Sequence, residues 1–296
     1  MSLWTLVKIL AALCVMGVMA FTGMFAWHVA VEPQGGIFQR LVPGPVNILT
    51  GPSDDELVKM LESPEMPDID PGEKSFQKAH ELLALGRIDE ARGKLASIVN
   101  IYPTSPSAPA ARRIIGEINL DEILSTSHMD GKQVHEVRRG DSLLGIAAKY
   151  RTTIDCMIQI NSMLDLPRLQ PGQKLIAVPL DFRVLAEPRR GTVSLWNDGR
   201  FIREYPVLHW GKGAKTARSG KITAKHAELG GLRMQPETAG FRAADKAIVM
   251  EKPTLQIRAW HDDGDEDIPA ATILLQPVDM EELALLTRVG NEVEVR

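Results

Sequence analysis

His209, His226 and His261, with Cys14, Cys156 and Thr272, are among the side chains of this 296-residue chain to weigh for holding a metal ion or opening a covalent reaction. A metal site needs ligands that converge, and the three histidines are too dispersed along the chain to read as a triad. The acidic run Asp262, Asp263, Asp265, Glu266, Asp267 lacks the alternating oxygen ligands before glycine that a calcium loop requires, and reads as a solvated loop. Two cysteines allow at most one disulfide and no cysteine-only zinc site, and Cys156 reads as a small side chain on a helix. Thr272 has no adjacent base to take its proton. No metal and no cofactor is therefore expected. Trp196, Trp210 and Trp260 could line a sugar-binding surface, but in a chain only 5% aromatic they read first as core.

Between Gln133 and Leu180 the residues suit binding and not catalysis. A short strand, Val134 to Arg138, meets Gly140-Asp141-Ser142, where glycine permits the turn and Asp141 or Ser142 can cap a helix carrying Leu143, Ile146, Ala147 and Tyr150. Thr153 caps a second helix with Ile154, Met157 and Ile160 inward, ending near Asn161. Pro171-Gly172 then turns the chain into a last strand, Lys174 to Val178. The motifs GDSLLGIAAKY, TTIDCMIQIN and LQPGQKL resemble those of the LysM domain. That resemblance implies a βααβ unit binding N-acetylglucosamine polymers such as peptidoglycan. It places the glycan between the loop Gly140, Asp141, Ser142, Leu143, Leu144 and the loop holding Asn161, Met163, Leu164, Leu169 and Gln170. Such a groove suits a neutral amino sugar, because backbone groups pair with each acetamide while Leu and Met meet its methyl. Gly140 also reads as turn geometry, Asp141 and Ser142 as capping, and Asn161 as helix termination.

Beyond Pro179 the period becomes that of strands: FRVLAEP, TVSLWN and RFIREYPVLHWG flank Asn197-Asp198-Gly199, a hairpin signal, and AIVMEK, LQIRAWH, ATILLQP and EVEVR follow, with a short helix over Val278 to Leu286. DFRVLAEPRRGTVSLWNDGRFIREYPV and DMEELALLTRVGNEVEV resemble the opening and close of the L,D-transpeptidase catalytic domain. That family carries His-Gly and then Ser-His-Gly-Cys-Ile-Arg between them. Here Trp260-His261-Asp262 and Pro269-Ala270-Ala271-Thr272-Ile273-Leu274 stand in those places, so the resemblance implies a degenerate site at His261, Ala270 and Thr272. Thiolate acyl transfer needs a cysteine, a base and oxyanion donors. With the cysteine and histidine gone, no enzyme activity is expected.

The elements that carry these segments start with Ile9 to Trp27, a run without charge or proline, long enough to cross a bilayer as a helix. A retained anchor is expected, with cleavage after Val18-Met19-Ala20 as the alternative. Lys8 before the run puts the N-terminus in the cytoplasm and the rest outside. Residues 31–72 hold seven prolines and eight acids against two bases, a solvated linker. From residue 73 the period turns helical. Phe76, Ala79, Leu82 and Leu83 form one stripe, Gly86 the turn, and Ala91, Leu95, Ile98 and Val99 the next, with a third helix from about Ser107 to Leu124. This stretch resembles a tetratricopeptide-type hairpin, which implies either a spacer packed on its neighbour or a groove for envelope proteins.

The fold class expected is thus multidomain α+β: a transmembrane helix and anchor over 1–30, linker 31–72, tetratricopeptide-like α-hairpin 73–127, LysM βααβ 133–180 and a mostly-β, degenerate L,D-transpeptidase-like domain 181–296. A chain with 34 basic and 38 acidic residues lacks the basic excess of a nucleic-acid binder. The expected protein is a single-pass component of the bacterial cytoplasmic membrane, extracytoplasmic in bulk, whose partner is peptidoglycan or another N-acetylglucosamine polymer. An active transpeptidase or wall hydrolase with another site, and an envelope scaffold acting through residues 73–127, are the alternatives.

Overall fold

Helix α1 (Leu3–Ala30) is what the uncharged N-terminal run becomes: with no proline to interrupt it, the backbone closes its own hydrogen bonds over 28 residues. The computed structural model describes residues 3–30, 70–163, 168–230, 232–235, 238–260 and 269–296, and within α1 it describes only part of the side chains. Among the described residues no helix is long and apolar enough to cross a membrane, and the spanning reading of α1 stands on its sequence alone. Most of the expected linker, Leu164, His261 and the acidic loop after it lie outside the described residues. The chain divides into two units, Met1–Asp68 and Ile69–Arg296.

The second unit opens with three helices, α2 (Pro71–Ala84), α3 (Ile88–Ile101) and α4 (Ala108–Leu124). The Asp70 carboxylate accepts from Gly72 N–H at 2.9 Å and Pro71 takes the first turn, a regular helix start. Gly86, at φ +71°, reverses the chain between α2 and α3. Ala79, Ala91, Leu95 and Ile98 are fully buried where these helices meet, the small alanines allowing close approach. Helix α4 is the third helix expected from about Ser107 to Leu124. It covers the outer face of the sheet, where Asn119 Nδ2 donates to the Phe201 and Ile202 carbonyls at 2.9 and 3.1 Å, and Phe201 joins Leu95, Ile98 and Ile115 in one cluster.

Strands β1 (Gln133–Glu136) and β2 (Lys174–Ala177) pair antiparallel, Val134 opposite Ile176, with α5 (Leu143–Lys149) and α6 (Ile154–Ile160) between them in sequence: the expected βααβ order. Of the two residues expected to cap α5, Ser142 does so, accepting from Gly145 N–H at 3.1 Å; Thr153 caps α6, accepting from Cys156 N–H at 3.1 Å.

The remainder builds one large sheet: β3 (Arg183–Glu187), β4 (Thr192–Asn197), β5 (Arg200–Trp210), β6 (Arg218–Lys221), β7 (Ala224–Leu229), β8 (Leu232–Met234), β9 (Asp245–Glu251), β10 (Thr254–Ala259), β11 (Thr272–Leu275) and β12 (Glu292–Val295), with α7 (Pro277–Leu286). The order is β6-β12-β3-β4-β5-β11-β10-β9-β7-β8. Asp198 and Gly199, at φ +46° and +85°, close the expected β4–β5 hairpin, Asn197 opposite Arg200. Strands β6, β7 and β8 carry no apolar alternation that marks them in the sequence (RSGK, AKHAEL, LRM), and tertiary pairing alone makes them strands. The sheet core takes in Val184, Val193, Leu195, Ile257, Ile273 and Leu283, and also Cys156, Ile160, Val178 and Leu180 from the βααβ segment. One apolar core thus joins α6 to the sheet.

Candidate functional site

The loop after β1 is shaped by three residues that the sequence pattern does not pair. His135 points inward from β1 and is buried. Its Nε2 lies 2.8 Å from Asp141 Oδ2 and its Nδ1 3.0 Å from the Tyr150 hydroxyl. A neutral imidazole satisfies both, donating to the carboxylate and accepting from the tyrosine. Asp141 Oδ2 also accepts from Arg138 N–H at 2.7 Å, and this hydrogen bond, with that from His135, holds the carboxyl below its ordinary range. Asp141 therefore fixes the turn that Gly140, at φ +93°, allows. His135 and Tyr150 escaped the sequence reading as site residues. The signal present was a histidine on the inward register of a short strand.

The second loop is anchored by Asn161. Its Nδ2 donates to the Met157 and Ile176 carbonyls and its Oδ1 accepts from Ile176 N–H, all at 2.8 Å. Its polar side-chain atoms are occupied in tying α6 to β2. Met163 and Leu169 pack, half-buried, on the cluster that also holds Leu143, Ile146, Met157 and Leu175. The fold thus brings the two loops named from sequence onto one small core. Leu143 faces inward, whereas Leu144 is 52% exposed and Gln170 is exposed. Among the described residues of the two loops, exposed Leu144 and half-buried Met163 and Leu169 offer apolar carbon, which suits the methyl of an acetamido sugar.

At the expected degenerate site, Ala270 is exposed in a turn, and Thr272 is wholly buried at the start of β11, its Oγ1 without a hydrogen-bond partner. Strand β11 lies between β5 and β10, so Thr272 faces protein on both sides. His209 lies on β5, its ring centroid 6.5 Å from that of Trp260, and His226 lies on β7. Trp196 packs edge-on to Phe201 with centroids 5.3 Å apart, and its Nε1 donates to Ser194 Oγ at 2.9 Å. Burial pushes the Cys156 thiol up to about 11, so it stays protonated at neutral pH. Among the described residues no group of three or more His, Cys, Asp or Glu is placed to hold a metal ion.

Residues 135–177 match the family model of the LysM domain, a span that takes in the second half of β1, both helices and β2. No curated protein matches the chain. Among solved structures, an L,D-transpeptidase from Mycobacterium smegmatis is similar at 14% identity and a TM-score of 0.29, over 42% of this chain and 63% of that one. The Ldtfm-avibactam carbamoyl enzyme is similar at 16% identity and a TM-score of 0.27, over 44% of this chain and 55% of that one. The chain spans less than two thirds of the length of either, and at these scores the likeness assigns no residue and no activity.

Proposed function

We propose that this protein binds peptidoglycan, through its N-acetylglucosamine polymer, in the groove between residues 140–144 and 161–170. The observation that carries the reading is the LysM match over 135–177, whose two loops share one apolar core. In this reading α1 anchors the chain in the bacterial cytoplasmic membrane and the rest works outside it. The uncharged run Ile9 to Trp27, with Lys8 before it, supports that topology. The C-terminal domain serves as scaffold and performs no acyl transfer. In support, the threonine that stands in the expected nucleophile element is sealed inside the sheet, out of reach of a substrate.

The full chain in detergent should sediment with purified peptidoglycan, and chitin oligomers should compete. A single shallow groove should bind in the millimolar to micromolar range, roughly −4 to −8 kcal/mol. Leu144→Asp puts an unpaired charge against the sugar's apolar face and should weaken binding about tenfold while leaving the fold intact, since Leu144 is 52% exposed. Absence of binding to every N-acetylglucosamine polymer overturns the reading.

A further inference from the structure

Helix α6 turns its outer face toward the sheet, and there a cleft of about 380 Å³ opens between α4, α6, β7 and α7. That volume lies within the range of small-molecule sites, about 300 to 1,000 Å³. Leu120, Ile158, Phe241 and Leu285 supply apolar walls, and Asp155, Lys225, Arg242, Lys246, Glu281 and Glu282 bring charge. Most of those charges are spent on one another. Lys246 donates to Glu281 at 2.9 Å and to the Ala244 carbonyl at 2.7 Å. Glu282 accepts from Arg203 Nε at 2.7 Å.

Two side chains that line the cleft, Lys225 and Asp155, are not fully spent, and no ion pair joins them. Lys225 Nζ donates to the Ala284 and Thr287 carbonyls at the end of α7, the latter at 2.6 Å, which uses two of its three N–H groups. Asp155 lies 3.4 Å from Arg242 Nε as an ion pair, yet its carboxylate accepts no hydrogen bond from the described residues, and its Oδ1 is buried. The Asp155 side chain keeps 18% of its surface exposed, and its buried Oδ1 lacks a hydrogen-bond donor, which is costly. Burial lowers the Lys225 ammonium to about 8 against the attraction of Asp155, and raises the Asp155 carboxyl against the attraction of Lys225 and Arg242. Lys225 thus keeps one N–H, and Asp155 its Oδ1, without a hydrogen bond. The same two residues and Phe241 also line an adjoining cleft of about 310 Å³ between α5, α6 and the sheet, so the space continues past them.

We propose that this cleft binds a small zwitterion with an apolar body, an unblocked dipeptide, whose ammonium is received by Asp155 and whose carboxylate is received by the remaining N–H of Lys225. The ligand's two charges supply what each buried group lacks, and its side chains replace water against Leu120, Ile158, Phe241 and Leu285. Leu144 of the glycan loop lines the adjoining cleft but not this one, so peptide binding and peptidoglycan binding are read by separate measurements.

The test is calorimetric titration of the full chain in detergent with Leu-Leu, N-acetyl-Leu-Leu and Leu-Leu amide, with peptidoglycan sedimentation measured in parallel. Leu-Leu should bind saturably, and each blocked form should bind at least about tenfold more weakly. Asp155→Asn should cost Leu-Leu about tenfold while leaving N-acetyl-Leu-Leu unchanged, because only the free ammonium uses that carboxylate. Leu285→Trp, which fills the cleft without removing either charge, should abolish binding. Lys225 also caps α7, so Lys225→Met is informative only if circular dichroism shows it folded; otherwise the blocked peptides decide. No saturable binding of Leu-Leu up to about 10 mM, equal binding of blocked and free forms, or indifference to Asp155→Asn and Leu285→Trp overturns the proposal.

Discussion

Asp141 accepts hydrogen bonds from Arg138 N–H and His135 in the folded protein, and both favour its charged form. Its folded pKa lies below that of the unfolded chain, about 3.9, so its contribution to stability is present above about pH 4 and is lost as pH falls through the folded value. Asp141→Asn should lower the melting temperature at neutral pH, and the gap to the unsubstituted protein should narrow as pH falls below the ordinary carboxylate range. Melting curves across that range check this, and a gap independent of pH would mean that the charge of Asp141 does nothing for the fold. Thr272 presents the opposite case, a hydroxyl buried without a partner. Thr272→Val keeps the shape and removes the unsatisfied group, so it should raise stability by about 1 kcal/mol in denaturant titration, with polymer binding unchanged.

At the scale of elements, the short helices depend on their caps. Helix α6 has seven residues, below the length at which propensity alone sustains a helix, and Thr153 satisfies one of its free N–H groups. Thr153→Ala should cost about 1 kcal/mol, read from the shift of the denaturant midpoint at constant slope. A loss indistinguishable from zero would assign the stability of α6 to packing alone. These caps, the Asp198-Gly199 turn and the stripes of α2 and α3 were legible in the sequence, because each is a local match of residue type to backbone geometry. Strands β6 to β8 were not, since AKHAEL becomes a strand only because β9 offers it a ladder, His226 opposite Ala247.

For the molecule as a whole, Ile160 decides how the βααβ segment behaves. It is 1% exposed and belongs to the core of the sheet, together with Cys156. Ile160→Ala should therefore lower the unfolding free energy reported by Trp196 and Trp210 in the sheet by about 2 to 5 kcal/mol, although the substitution lies in the LysM match. A change confined to the βααβ segment, with the tryptophan transition unmoved, would show two independently folding modules. Sequence by itself determined the order of segments, the βααβ pattern, the loops that bear the candidate glycan site and the lack of a cysteine nucleophile in ATILLQP, because these rest on residue type and near-neighbour spacing. Tertiary structure alone decided that α4 covers the sheet, that Asn161 is consumed in tying α6 to β2, that Thr272 is sealed from solvent, and that Asp155 and Lys225 face one cleft. Those facts depend on contacts between residues distant in sequence, such as Asn119 with Phe201, separated by 82 positions, and no local periodicity encodes which distant surface a buried polar group will meet.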